Sequence, residues 1–90
     1  MENAIDKNIE ANLSTLILSI ASSAAMSLGL APNPQTQKKE VNIEVAKFNI
    51  DLLAVLKEKT ANNTTDEEDK FLAHIISDLQ MKYLQTSKGA

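Results

Sequence analysis

An all-α fold is what this sequence predicts: three antiparallel helices, the first from residue 4 or 12 to 28, the others at about 42–60 and 66–85, assembled as a helical-bundle homo-oligomer. Three observations predict it. Apolar residues recur at intervals of three and four along three separate stretches, the spacing of one helical face. A Gly29 and Pro32-Asn33-Pro34 connector and an Asn62-Asn63 turn separate those stretches. The third stretch opens on a capping-box pattern. Ninety residues allow one domain, 1–90, with 1–11 read as a helix extension or frayed end and 86–90 as a tail.

Helix one carries Leu13, Leu16, Ile17, Ile20, Ala24 and Leu28 on its stripe, which Ile5 and Ile9 extend towards the N-terminus. Gly29 suits the left-handed conformation that closes a helix, and the two prolines forbid continuation, so residues 30–41 read as a connector. Helix two has candidate starts near Thr36 and at Asn42. Asn42 is the better cap, because Val41 and Ala46 then take the staple positions and Glu44 lies in the electropositive first turn. For helix three, Thr65 is the cap and Glu68 reaches back to it. Leu72, Ile75, Ile76, Leu79 and Tyr83 form its stripe, with Asp66–Lys70 and Asp78–Lys82 as ion pairs four apart.

Helix two has too much apolar surface for a peripheral helix. One row is Val41, Val45, Phe48, Leu52 and Val55; a second, displaced around the cylinder, is Ile43, Ala46, Ile50 and Leu53. Leaving Ile43, Ile50 and Leu53 in water forgoes roughly 1.5–3 kcal/mol each, so a partner surface is expected over them. Helix one adds a small, uncharged face of Thr15, Ser19, Ser22, Ser23 and Met26, which permits close helix approach. Asn49 lies between the two rows, where an amide can set register across a symmetric interface. These ten residues, five from each helix, are the candidate oligomer interface.

Composition removes most chemistry. The absence of cysteine excludes thiolate metal sites, disulfides and cysteine nucleophiles, and fits a reducing cytoplasm. All nine basic residues are lysines and the net charge is −3, so no basic field or arginine fork is available for nucleic acid. Phe48, Phe71 and Tyr83 are too few and too separated for a base-stacking platform. With glycines only at 29 and 89, no phosphate loop can form. His74 falls away from the helix-three stripe and reads as solvated. Residues 66–69 lack the alternating ligands and glycine of a calcium loop, and no Glu-x-x-His motif marks a di-iron bundle. Ser22-Ser23 has no base within a turn to activate it. The Asn12, Asn62 and Asn63 sequons matter only in a secreted chain. Residues 11–37 carry no charge, but the acidic residues before them argue against a leader, and six Ser and Thr between 13 and 30 give low hydrophobicity for a span.

The order and spacing of Leu18-Ser19-Ile20-Ala21-Ser22-Ser23-Ala24, Leu28-Gly29, Pro32-Asn33-Pro34-Gln35-Thr36, Ile50-Asp51-Leu52-Leu53, Leu56-Lys57-Glu58-Lys59-Thr60, Asp66-Glu67-Glu68 and Met81-Lys82-Tyr83 resemble an uncharacterised bacterial domain-of-unknown-function family, number eighteen forty-four, over roughly 13–84. That family has glycine near Asn62 and Gln37, leucine at Thr64 and arginine where Gln80 stands; such an arginine could pair with a carboxylate, Asp51 for instance, and glutamine cannot. The resemblance implies a compact helical bacterial protein and carries over no activity, cofactor or active-site residue.

The expected function is a non-catalytic, cytoplasmic structural or protein–protein interaction module. It self-associates, by default as a dimer, with room for an unidentified protein partner, and takes no cofactor, metal or nucleic acid. The alternative is a membrane-associated small protein anchored through residues 13–30.

Overall fold

The computed structural model describes residues 11–89. Three helices follow in order, α1 (Leu13–Ser27), α2 (Ile43–Lys59) and α3 (Asp66–Gly89). Among the described residues there is no strand, only an isolated antiparallel bridge between Leu28 and Val41. The extension of the first helix through Ile5 and Ile9 lies outside the described residues.

The three helix starts and the end of α1 each have a side-chain or backbone device. Asn12 caps α1, its Oδ1 accepting from the Thr15 amide at 2.9 Å, so the Asn12 sequon serves here as a cap. At the other end Gly29 takes φ +76, its amide donates to Met26 O (3.0 Å) and the Leu30 amide donates to Ala25 O (2.9 Å), the two bonds of a Schellman motif. A Cβ at Gly29 would lie 2.9 Å from Val41 Cγ2, so the site excludes a side chain on space as well as on φ. Within the connector, Asn33 accepts from the Gln37 amide and donates to Lys38 O, and the Asn42 amide reaches back to Ser27 O at 2.7 Å. That bond ties the start of α2 to the end of α1.

Asn42 is the cap of α2, accepting from the Val45 amide at 3.1 Å, whereas Thr36 Oγ1 accepts from Lys38 inside the connector. The staple partner Val41 stays 55% exposed, so only Ala46 of that pair is enclosed. The α2–α3 turn places Asn62 at φ 67, and the only other positive φ on a non-glycine residue among the described residues is at Gln37 (φ 61). Thr65 and Glu68 form the reciprocal capping box, with bonds of 2.9 and 3.1 Å.

Helix three is longer than expected. Residues 86–88, taken for tail, continue the helix to Gly89, since no proline or glycine intervenes, Ser87 Oγ satisfies itself on Leu84 O, and Lys88 suits the negative helix end. The Asp78–Lys82 pair forms at 2.9 Å, but Asp66–Lys70 does not; Lys57 of α2 instead crosses to Asp69 at 3.0 Å.

The core is one aliphatic cluster: Ile17, Ala24 and Leu28; Ala46, Ile50 and Leu53; Leu72, Ile76 and Leu79. Ile20, Phe71, Ile75 and Tyr83 pack around it. On α1 the expected stripe is narrower, because Leu16 is 47% exposed. α1 and α3 both pack on α2 and more sparingly on each other. The outcome is a slab of 37 × 34 × 16 Å with a radius of gyration of 14.2 Å, against about 12 Å for a compact chain of this length. A slab buries the inner sides of its helices and leaves its broad faces open.

Candidate interaction surface

The two apolar rows of α2 have opposite fates. Ala46 and Leu53 are fully enclosed, Ile50 nearly so, and Ile43 packs half-buried against the core. The expectation that Ile50 and Leu53 wait for a partner is therefore corrected: the chain encloses them itself, and with them Ala46, while Ile43 is half-buried against the core. The other row is the open one. Val41, Val45, Phe48, Leu52 and Val55 range from 36% exposed at Leu52 to 61% at Phe48.

The reason lies in packing. Ala46 is small enough to let α1 and α3 approach the α2 backbone, and nothing in the open row offers that. Spacing in the sequence does not tell the rows apart: the open row follows at intervals of four, three, four and three and the enclosed row at three, four and three, both the heptad spacing of a coiled-coil seam. Glu44, Asp51 and Glu58 recur every seven residues along one edge, all exposed.

Asn49 does not face outward for a second copy. It is 8% exposed, and its Nδ2 donates to Val45 O at 3.0 Å, satisfying the amide on its own preceding turn. It lies on the other edge of the open row, in a shallow groove of about 390 Å³ between α1 and α2, which Ser23, Met26, Val45 and Phe48 also line. Of the serine face of α1, Ser23 and Met26 line this groove, whereas Thr15 and Ser19 line a separate depression with Ala11, Asn12, Leu13 and Leu16. Ser19 and Ser22 are exposed, while Thr15, Ser23 and Met26 are half-buried. Ser27, its neighbour, donates from Oγ to Ser23 O, so a hydroxyl on this face is satisfied within the helix. The structure thus brings Ser23 and Met26 of the expected α1 residues beside Val45 and Phe48 of the open α2 row.

Reactive chemistry does not converge here. His74 is exposed on α3 and does not line the groove. Among the described residues no group of three His, Cys, Asp or Glu side chains could hold a metal ion. Asp51 is engaged by Lys47 at 2.8 Å, and that hydrogen bond, reinforced by the charge of Asp51, holds the Lys47 ammonium above its usual 10.5. No described helix is long and apolar enough to cross a membrane. α1, with 15 residues, reaches about 22 Å, short of a hydrocarbon core of about 30 Å.

The family model described as "Domain of unknown function (DUF1844)" matches residues 10–85. No curated protein and no solved structure matches the chain. The chain belongs to the DUF1844 family.

Proposed function

We propose that this member of the DUF1844 family is a non-catalytic, cytoplasmic interaction module that self-associates through the outer face of α2 and the adjoining serine face of α1. The observation that carries the reading is the open row of α2, centred on Phe48 at 61% exposure. Five half-exposed apolar side chains in line make a patch of a few hundred Å², the size that marks interaction sites on otherwise soluble monomers. The groove gathers serine, methionine, asparagine, Val45 and Phe48 around a single carboxylate, Glu40, with no histidine or basic residue in its lining to share a proton with it, which suits packing better than proton transfer.

Two copies would cover roughly twice that patch, at the low end for specific interfaces, so dissociation in the micromolar range is expected. Multi-angle light scattering across concentration tests the proposal. Wild type should pass from monomer to dimer over tens of micromolar, and Phe48→Glu should stay monomeric with unchanged helical circular dichroism. A wild type that is monomeric at several hundred micromolar would remove the proposal.

A further inference from the structure

We infer that the groove between α1 and α2 binds a primary alkylammonium group, the chemistry of a lysine side chain or a free aliphatic amine. Glu40 and Asn49 receive the charged end, and Val45 and Phe48 cover the carbon stem. The site belongs to a single chain and does not rest on self-association.

Asn49 is its enclosed polar part. The residue is only 8% exposed, and the bond from Nδ2 to Val45 O fixes which way the amide points, because a reversed amide would set oxygen against that carbonyl. Its Oδ1 accepts no hydrogen bond from the described residues. That oxygen is not sealed either, since no fully buried side-chain oxygen or nitrogen among them lacks a partner, so the opening it meets is the groove that Asn49 lines. The bond to Val45 lays the side chain back towards the start of α2, the end to which the connector brings Glu40. An acceptor this enclosed gains from a donor that an occupant supplies.

Glu40 is the only charged residue in the lining, and its carboxylate has no ion-pair partner among the described residues. Its backbone is held in place by the Leu28–Val41 bridge and the Asn42–Ser27 bond that follow it. The other polar side chains add oxygen lone pairs more than donors: Asn42 and Asn33 already accept from the Val45 and Gln35 amides, and Ser27 gives its proton to Ser23 O. One negative charge among acceptors, with no cationic side chain, matches a group that only donates and carries a single positive charge. A divalent metal ion wants more carboxylates than one.

Charges outside the lining set the strength of the site. Lys38 and Lys39 precede Glu40, exposed and outside the groove, and weaken its field. Glu44 and the Lys47–Asp51 pair fall on the side of α2 turned away from Asn49, and residues 11–37 carry no charge. The end of α1 meets the start of α2 here, so the two helix dipoles oppose each other. Contact must therefore supply much of the binding, through Val45 and the ring of Phe48, and a dissociation constant on the order of 1 mM is expected.

The test uses isotope-labelled full-length protein at a concentration where light scattering shows monomer, followed by amide resonances at constant ionic strength. Three probes are titrated: lysine capped at both backbone ends, cadaverine, and norleucine capped in the same way, which keeps a carbon chain and lacks the ammonium. The expected result is a saturable shift of the Asn49 side-chain amide and the Val45 backbone amide with an amine, and none with norleucine. The amine that binds more tightly identifies the source, a lysine within a polypeptide or a free amine. Glu40 is exposed, so Glu40→Gln should fold normally and weaken amine binding by about threefold. Equal shifts with capped norleucine would reduce the site to an apolar patch and overturn the inference. Amine binding indifferent to Glu40→Gln would overturn it as well, and so would the absence of any saturable shift with either amine at tens of millimolar.

Discussion

Leu52 and Leu53 are the same residue type on consecutive positions of one helix, yet one is 36% exposed and the other fully enclosed. The difference shows that hydrophobicity alone does not choose the inside of α2. Both rows are greasy, and the choice is made by what packs across them: α1 and α3 close over the row that contains Ala46, and the slab ends before it reaches the row that contains Phe48.

The largest effect that would break or sharpen this contrast is at the enclosed member. Leu53→Ala should cost about 2–5 kcal/mol in urea unfolding, the range for a buried leucine truncated without collapse. Leu52→Ala, one position away, should cost about 1 kcal/mol or less in unfolding of the monomer, measured at low concentration, while weakening the dimer in light scattering. If the two substitutions cost the same at low concentration, the division into a folding row and a docking row fails. Next in size, Ala46→Leu should destabilise by about 1–3 kcal/mol through overpacking, whereas Val45→Leu on the open row should leave the monomer melting temperature nearly unchanged.

How much of this was legible in the sequence divides along the same line. Helix ends were readable because they depend on local chemistry: Asn42 and the Thr65–Glu68 box satisfy amides within one turn, and Gly29 needs only its own φ. The α3 terminus was misjudged because polar residues such as Gln85 and Thr86 resemble a tail in composition while nothing in them stops a helix. The orientation of α2 was not readable from its own wheel. It depends on which side meets residues such as Ile17 and Leu72, thirty-six residues before and nineteen after Leu53. The interface expectation on α1 was local, a face without charge, and of that face the structure leaves Ser23 and Met26 beside the open row.

Two smaller predictions act outside both rows and serve as references for them. Gln37 holds φ 61 with a full side chain, so Gln37→Gly should stabilise the fold by about 0.5–1 kcal/mol without altering association, as read by thermal melts and light scattering on the same samples. The smallest effect is at Lys47. Its ammonium is held above 10.5 in the folded chain, so the stability it contributes is present below that pH and is lost as pH rises through the raised value. The slight difference in melting temperature between wild type and Lys47→Met should close over that alkaline window.

The Asn42–Ser27 bond has a consequence for the connector it encloses. Because the polypeptide leaves and re-enters the body at one point, residues 30–41 behave as a handle with its base already clasped. Lengthening such a handle adds only a logarithmic entropy term, on the order of 0.6 kcal/mol per doubling. A reporter peptide spliced between Pro34 and Gln35, both exposed, should therefore ride on the protein without prising the hairpin apart.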